Sequence, residues 1–263
     1  MQTLALTIFL YLLLEILDDP PECGLVFTCT SSLPIGSGLG SSAAFSTALS
    51  TSLLLLKNGD LKCSAQSVYL YSFLAEKIAH GNPSGLDNTL ALYGGFVKFS
   101  NGAFSSFKGS FPQSIIIDSQ ITRNAKQQVE KVKRILAESP HKQSVIDEIG
   151  NISEKAIAML ENKSSVDFSL LSDLIKSNQK CLEELDVSFP FVNLVQEHAE
   201  QYGIVCKVTG AGGGGCILAL SPDETSSLAF MRELNRLEIS AFTANLGGSG
   251  TFIEFNNEIR NLS

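Results

Sequence analysis

The sequence has few of the residues that zinc sites, disulfide frameworks and nucleic-acid interfaces require. It holds only three histidines and six cysteines, and no two cysteines form a CxxC pair or cluster with histidine. This usage argues for reduced, buried thiols in a cytoplasmic protein rather than a zinc site or a disulfide framework. Lysine and arginine total 19 against 27 acidic residues, a net charge of −8. We therefore expect no basic face for nucleic acid and no charge-driven binding to a membrane surface.

The N-terminal segment, residues 1–22, contains a long apolar run but lacks the marks of a signal peptide. No lysine or arginine precedes the run, Glu15 interrupts it, and Asp18, Asp19 and two prolines follow in place of a cleavage site. The uninterrupted stretch is also short for a membrane span. We expect a buried helix that stops at Pro20 and Pro21, with a targeting or membrane segment as the alternative.

Helical and strand patterns are mixed along the chain without regular alternation, which predicts an α+β fold. The periodicity predicts strands at 24–34, 113–119, either side of 209–216, and twice within 239–255. It predicts helices at 41–56, 64–81, 123–138, 223–236 and over most of 144–185, with a turn, a short helix and a strand within 80–100. A composition break near Phe107–Phe111 predicts two domains, 1–109 and 110–263.

A glycine-rich segment, LPIGSGLGSSAAFS at 33–46, stands directly before a predicted helix. Glycines let backbone N–H groups converge on a ligand, and a helix N terminus adds donors and a positive dipole end, a combination that favours phosphate. Ser41 and Ser42 can cap the helix or ligate a phosphate-bound magnesium ion. A plain glycine turn with a serine N-cap is the alternative. No Gly-Lys-Ser/Thr closes the loop, so it is not a Walker A sequence.

Two carboxylates, Glu76 and Asp87, lie on either side of the turn sequence HGNPSG. Phosphoryl transfer needs a metal that neutralises phosphate charge and a base that orients the acceptor hydroxyl, and two carboxylates meet those needs. The alternative is a solvated helix residue at 76 and a helix N-cap at 87.

A second glycine-rich segment, TGAGGGGC at 209–216, lies between two strand-like stretches. Successive glycines lose much conformational entropy on folding. We therefore expect a close approach of this backbone to a ligand or to another loop.

Together, PIGSGLGSSAA, EKIAHGNPSGLDN and KVTGAGGGGC resemble, in order, the three signature segments of the GHMP small-molecule kinases. The HGNPSGLDN form, followed by YGG, is most similar to the eukaryotic mevalonate kinases within that family. The resemblance runs from about Leu4 to Phe255. It implies a two-domain α+β fold, with the active-site cleft between an N-terminal and a C-terminal GHMP kinase domain.

The resemblance also implies residue roles. Ser42 and Glu76 would ligate Mg²⁺, and Asp87 would be the catalytic base. Ser31 would lie near the nucleotide. The phosphate loop would comprise Gly36, Ser37, Gly38, Leu39, Gly40, Ser41 and Ser42. The second glycine segment, Gly210–Gly214, would pack against the site and support substrate binding.

This sequence departs from the family pattern in two places. The family's N-terminal lysine-bearing motif does not occur, so we expect an incomplete first sheet and no lysine beside Asp87 to lower its pKa or stabilise the transferred charge. The family's basic stretch appears as RNAK at 123–126, where Ala125 replaces a hydroxyl near the substrate.

The activity that the resemblance implies is phosphorylation of mevalonate to 5-phosphomevalonate by ATP and Mg²⁺, in isoprenoid and sterol precursor biosynthesis. The resemblance also implies a cytoplasmic enzyme that can form a homodimer. One alternative is a kinase of another small hydroxylated acceptor, such as phosphomevalonate, homoserine or a sugar. The other is a shortened, catalytically impaired form that binds nucleotide without transfer.

Overall fold

The computed structural model describes residues 2–19, 24–34, 36–59, 63–100, 103–107, 109, 111–122, 124–161, 166–255 and 258–261. The helices are α1 (Gln2–Ile16), α2 (Ser41–Asn58), α3 (Ala65–His80), α4 (Leu86–Tyr93), α5 (Ala125–Glu138), α6 (Gln143–Glu161), α7 (Phe168–Glu184), α8 (Pro190–Glu200) and α9 (Glu224–Arg236). The strands are β1 (Phe96–Ser100), β2 (Ala103–Phe107), β3 (Ser114–Asp118), β4 (Val205–Val208), β5 (Cys216–Leu220), β6 (Ala241–Ala244), β7 (Phe252–Phe255) and β8 (Glu258–Asn261). This mixture confirms the α+β fold class.

The chain packs into two compact units. One contains Met1–Leu33, Gly40–Phe107 and Gly248–Ser263, and the other contains Pro34–Leu39 and Lys108–Gly247. The division into domains 1–109 and 110–263 stays a prediction.

The first unit has a helical core in which α2 packs against α1, α3 and α4. Leu53 on α2 and Val68 on α3 are fully buried there, together with Leu12 and Ile16 of α1. Burying each such side chain contributes about 1.5–3 kcal/mol. Two antiparallel hairpins, β1–β2 and β7–β8, complete the unit. Its sheets are thus small and open.

Helix α1 confirms the predicted N-terminal helix, although only one of its faces is buried. Ile8, Leu12 and Ile16 recur every four residues and are buried, whereas Leu10 and Leu14 are exposed. The helix ends at Ile16. The two prolines predicted to stop it lie outside the described residues. Among the helices that the structure describes, none is both long and apolar enough to cross a membrane.

The second unit is built on an antiparallel sheet with the strand order β4-β5-β3-β6. Ile115 and Ile117 of the central strand β3 are fully buried. They share a core with Val195 of α8 and with Phe230 and Leu234 of α9. A separate cluster joins α7 to strands β4 and β5. The sheet is therefore covered by helices, which explains why β3 is a continuous apolar run rather than an alternating one.

The strand predicted at 24–34 is wrong. The described residues of this segment form no strand and pair with no strand elsewhere in the described chain. Val26 is 93% exposed, and Phe27 makes an edge contact with the Phe9 ring, with 5.2 Å between centroids. Alternating β-type residues form a strand only when a neighbouring strand pairs their backbone groups, and this segment has no such neighbour among the described residues.

Candidate active site

Helix α2 begins directly at the glycine-rich segment without a side-chain cap. Gly40 is the N-cap residue, with φ 70° and ψ 22°, and Ser41 is already the first helical residue. The left-handed φ at Gly40 suits glycine, because a Cβ there costs conformational energy. The serine N-cap alternative is therefore wrong. The first turn of α2 keeps backbone N–H donors that are not taken up by a side chain of the N-cap residue.

Ser42 and Glu76 meet although they are 34 residues apart in the sequence. Ser42 lies in the first turn of α2, and its hydroxyl donates a hydrogen bond to Glu76 Oε1 in the last turns of α3. Glu76 is only 4% exposed. The alternative of a solvated helix residue at position 76 is therefore wrong. A buried carboxylate is costly unless it is hydrogen-bonded, so this contact is what allows Glu76 to remain inside.

Two further side chains complete the surroundings of Glu76, and neither was predicted as a site residue. Ser46 is fully buried and donates to Glu76 Oε1 at 3.3 Å. His80 Nε2 lies 3.5 Å from Glu76 Oε2. Each follows a predicted site residue by four positions, Ser46 after Ser42 and His80 after Glu76, and residues four apart share a helix face. That spacing is the signal that could have identified them.

Asp87 lies in the first turn of α4, where Gly85 is the N-cap residue. The alternative that Asp87 caps this helix is therefore wrong. Asp87 is exposed, and none of the described side chains hydrogen-bonds or ion-pairs with it. A Cβ built on Gly40 would lie 3.8 Å from Asp87 Cβ. A side chain at position 40 would thus be in van der Waals contact with the predicted base, so the first glycine segment ends close to Asp87.

The oxygen donors at this site fit a magnesium ion. Ser42 offers a hydroxyl and Glu76 a carboxylate, both hard ligands. Mg²⁺ is usually held by one or two carboxylates, several waters and substrate phosphates rather than by an all-protein cage. The described residues contain no group of three or more His, Cys, Asp or Glu side chains that could hold a metal ion.

Other predicted nucleotide-binding residues make local contacts. Ser31 is exposed, and its Oγ accepts from Leu33 N at 3.2 Å. Ser37 is buried and donates to Asp118 Oδ1 at 3.3 Å. Gly36, Gly38 and Leu39 form the turns that lead to Gly40. The structure therefore brings together Gly40, Ser42, Glu76 and Asp87, and it does not add Ser31 to them by any described contact.

The second glycine segment approaches other chain segments closely, as its composition predicted. Gly213 N donates to Val187 O and Gly215 N donates to Ile121 O, both at 2.8 Å. A Cβ on Gly212 would clash with the Val187 carbonyl, and φ there is 77°. Glycine at this position is therefore required by both space and backbone conformation.

Within the RNAK stretch, the structure gives Asn124 a capping role. Asn124 is the N-cap of α5, and its side chain accepts from Gln127 N at 3.1 Å. Ala125 and Lys126 follow as exposed residues of the first turn. Arg123, the other basic residue of the stretch, lies outside the described residues. The role of the stretch in substrate positioning stays a prediction.

The comparisons with known proteins agree with the order of the motifs. The protein-family model described as "GHMP kinases N terminal domain" matches residues 4–95, and the family model described as "GHMP kinases C terminal" matches residues 159–240. A mevalonate kinase of Arabidopsis thaliana is 33% identical over 261 residues, which cover 93% of this chain and 68% of that protein. Across the first curated relatives, this chain spans from about half to about two thirds of their length.

Solved structures agree on the fold. The Methanococcus jannaschii mevalonate kinase aligns with a TM-score of 0.78 at 22% identity, covering 92% of this chain and 74% of that one. L. major mevalonate kinase in complex with R-mevalonate aligns with a TM-score of 0.69 at 24% identity, covering 81% of this chain and 67% of that one. At these identities, the likeness supports the fold alone.

Proposed function

This chain belongs to the GHMP kinase family, and on that premise we propose that it transfers the γ-phosphoryl group of ATP to the primary hydroxyl of mevalonate. The products are 5-phosphomevalonate and ADP. The first curated relatives are all named mevalonate kinases, which supports mevalonate over another acceptor. The observation that carries the proposal is the Ser42–Glu76 contact, with Gly40 of the same helix start lying against Asp87.

In this proposal, the first glycine segment binds the ATP phosphates. The backbone N–H groups at the start of α2 and the positive end of its dipole attract the phosphate oxygens. The proposed phosphate-binding residues are Gly36, Ser37, Gly38, Leu39, Gly40, Ser41 and Ser42, with Ser31 near the nucleotide. Support comes from Gly40, which opens the helix without a cap that would occupy its amides.

Ser42 and Glu76 are the proposed magnesium ligands. Bound there, Mg²⁺ would neutralise phosphate charge as the phosphoryl group transfers. The Ser42 hydroxyl, which donates to Glu76 without the metal, would turn an oxygen lone pair to the cation. Ser46 and His80 would hold the Glu76 carboxylate in place through their contacts with its two oxygens.

Asp87 is the proposed catalytic base. The acceptor hydroxyl oxygen forms a bond to the γ-phosphorus, the bond from phosphorus to the β–γ bridging oxygen breaks, and the hydroxyl proton passes to an Asp87 carboxylate oxygen. The exposed position of Asp87 leaves its oxygens available to a substrate. Its proximity to Gly40 supports a location beside the transferring group.

The broader setting is also proposed. A cytoplasmic enzyme of isoprenoid and sterol precursor synthesis agrees with the cysteine usage, which has no CxxC pair. Three of the described cysteines are buried as expected, Cys63, Cys206 and Cys216, whereas Cys29 is exposed. A homodimer rests on the family resemblance alone. Light scattering of the purified chain would test that state. The domains 1–109 and 110–263 are supported by the two family matches, each of which lies within one of them.

The sharpest test of the proposed metal site is Glu76→Gln. Glutamine keeps the size of the side chain and an oxygen that accepts from Ser42, but it removes the negative charge. We expect the Mg²⁺ concentration for half-maximal mevalonate-dependent ADP release to rise about tenfold or more. We also expect the melting temperature not to fall, because a buried carboxylate is costly to the fold.

Glu15→Gln, at an exposed position of α1, is the matched control. Equal Mg²⁺ dependence in Glu76→Gln and the wild type would rule out Glu76 as a ligand. A panel with homoserine, phosphomevalonate and galactose would test the acceptor. Faster turnover of any of them than of mevalonate would replace the proposed substrate.

A further inference from the structure

A short C-terminal segment, residues 248–251, docks on the end of helix α4, and we name it the α4 clamp. The Thr251 hydroxyl donates to the Ala91 carbonyl at 2.8 Å, and Thr251 N donates to the Leu92 carbonyl at 3.0 Å. Gly95 N donates to the Gly248 carbonyl at 2.8 Å. A single residue, Thr251, therefore holds two successive carbonyls in the last turn of the helix.

Those carbonyls need partners from outside the helix. The last four C=O groups of an α-helix have no intrahelical donor. Helix α4 has only 8 residues, fewer than an isolated helix needs to be stable in water. Its closing turn is completed by Gly94 N, which donates to Leu90 O at 2.9 Å, and by the two bonds from Thr251. The position of α4 is therefore set by tertiary contacts such as these.

The clamp and the helix end approach so closely that specific glycines are required. A Cβ on Gly250 would clash with the Leu92 carbonyl and with the backbone of Tyr93 and Gly94. A Cβ on Gly248, two residues earlier, would meet nothing within 4 Å. Neither residue has the left-handed φ that strains other amino acids. Substituting each of these two glycines therefore tests the effect of close approach without a contribution from backbone strain.

The other end of α4 carries Asp87. At 1.5 Å per residue, Asp87 lies about 6 Å along the helix axis from the carbonyl of Ala91. A two-turn helix moves as one piece, so a shift at its last turn displaces the carboxylate at its first. Displacement of a reacting group by about 1 Å can cost up to a hundredfold in rate.

We propose that Gly250 and Thr251 are positioning residues for phosphoryl transfer, which act by fixing α4 and thereby the carboxylate of Asp87. This inference rests on the proposed function, because it takes Asp87 to be the base. Neither residue needs to touch substrate. The clamp lies more than 150 residues after Asp87 in the sequence, and no motif in the chain marks it.

The first test compares Thr251→Val with Thr251→Ser in mevalonate-dependent ADP release. Valine keeps the shape and the backbone N–H but removes the hydroxyl, whereas serine keeps the hydroxyl. We expect kcat to fall about tenfold in the valine variant, with KM for ATP within about twofold, and the serine variant to retain most of the wild-type kcat. Equal kcat in valine variant and wild type, or an equal loss in both variants, would overturn the proposal.

The second test compares Gly250→Ala with Gly248→Ala. The first alanine would push the clamp from the helix end, and the second occupies open space. We expect kcat to fall at least as far in Gly250→Ala as in Thr251→Val, and to stay within about twofold of wild type in Gly248→Ala. Equal kcat values in these two variants, both folded, would contradict the proposal.

Amide hydrogen exchange separates this inference from the proposed function, because it needs no substrate. In Thr251→Val we expect faster exchange within residues 86–95 and unchanged exchange in α2 and α3. Unchanged exchange in 86–95 would show that the clamp does not hold α4. If the wild-type chain turns over no mevalonate, the proposed function fails and the positioning role falls with it, while the exchange result still decides whether the clamp holds the helix.

Discussion

At the scale of single residues, Glu76 shows how burial separates a site residue from a surface one. A glutamate in a helix of an acidic protein is ordinarily solvated. Here the side chain is 4% exposed and surrounded by Ser42, Ser46 and His80. Such a group costs folding free energy unless its oxygens find donors. Its contacts with Ser42, Ser46 and His80 are therefore what distinguish Glu76 from an ordinary surface glutamate.

Lys207 is a partly buried, desolvated cation, and we expect its effect to be on stability. It lies in β4, where its ammonium donates to the Val208 carbonyl at 2.7 Å. Burial lowers the pKa of this ammonium to about 8. In the unfolded chain, the value is about 10.4. Between these two pH values the unfolded state binds more protons, so the contribution of Lys207 to the free energy of unfolding rises with pH.

Replacing Lys207 by methionine tests this linkage. We expect the variant to be most stabilised relative to wild type at pH 7, where wild-type Lys207 is desolvated and charged, and this difference to shrink as pH rises from about 8 to 10.4. Urea unfolding of both proteins at pH 7, 8, 9 and 10 measures it. Lys180→Met, at an exposed position of α7, is the control. A difference that stays constant over this range would show that Lys207 is not a desolvated cation.

At the scale of elements, the second glycine segment connects β4 to β5 and is fixed by hydrogen bonds to other loops. Its backbone bonds to Val187 and Ile121, which lie before α8 and before α5. The Ser119 hydroxyl adds a bond to Gly215 O at 2.6 Å. These contacts need a backbone without side chains, and that need explains the run of glycines without invoking a ligand.

Gly212→Ala and Gly59→Ala form a matched pair for this explanation. Both glycines have left-handed φ, 77° and 67°, but only at Gly212 would a Cβ clash with another backbone, whereas nothing lies within 4 Å at Gly59. We expect Gly59→Ala to cost about 1–2 kcal/mol of unfolding free energy from strain. Gly212→Ala should cost about 1–3 kcal/mol more, because backbone must shift.

Denaturant unfolding with unchanged m-values would measure both costs. Equal costs would mean that the contact with Val187 is loose and that strain alone selects glycine at 212.

The elements could largely be predicted from the sequence where periodicity and end signals agree. Helices α2 and α3 and the buried strand β3 lie within about two residues of their predicted bounds. The segment 24–34 has a strand pattern but no pairing partner among the described residues. Pattern reports side-chain preference, whereas a strand also depends on backbone partners that are distant in sequence. Strand β2 was missed for a different reason: it pairs with its neighbour β1, but its residues are mostly exposed, so they show no alternation of buried and exposed side chains.

Within the candidate site, motifs identified Ser42, Glu76 and Asp87, and helical spacing could have added Ser46 and His80. The sequence could not distinguish capping from ligation, because both use serine or aspartate at helix starts. The structure decides against capping by placing glycines at both N-cap positions, Gly40 and Gly85. Thr251 could not be predicted at all, since its contacts with α4 join positions 160 residues apart.

At the scale of the whole molecule, each compact unit has its own hydrophobic core. The first is formed by α1–α4 and the second by a four-stranded sheet with its helices. The described contacts among Gly40, Ser42, Glu76 and Asp87 all fall within the first unit. The chain spans from about half to about two thirds of the length of its first curated relatives. We therefore expect catalysis to be measurable with the 263-residue chain itself.

The most direct measurement is transfer of γ-³²P from labelled ATP to mevalonate by the folded chain, with Asp87→Asn and Asp167→Asn in parallel. Asp167 caps α7, and asparagine caps a helix equally well, so this variant controls for loss of a carboxylate elsewhere. The account predicts Mg²⁺-dependent labelling of mevalonate with equimolar ADP, reduced about a hundredfold or more in Asp87→Asn and unchanged in Asp167→Asn. A folded wild-type chain that binds ATP but labels no mevalonate, or undiminished labelling by Asp87→Asn, would contradict it.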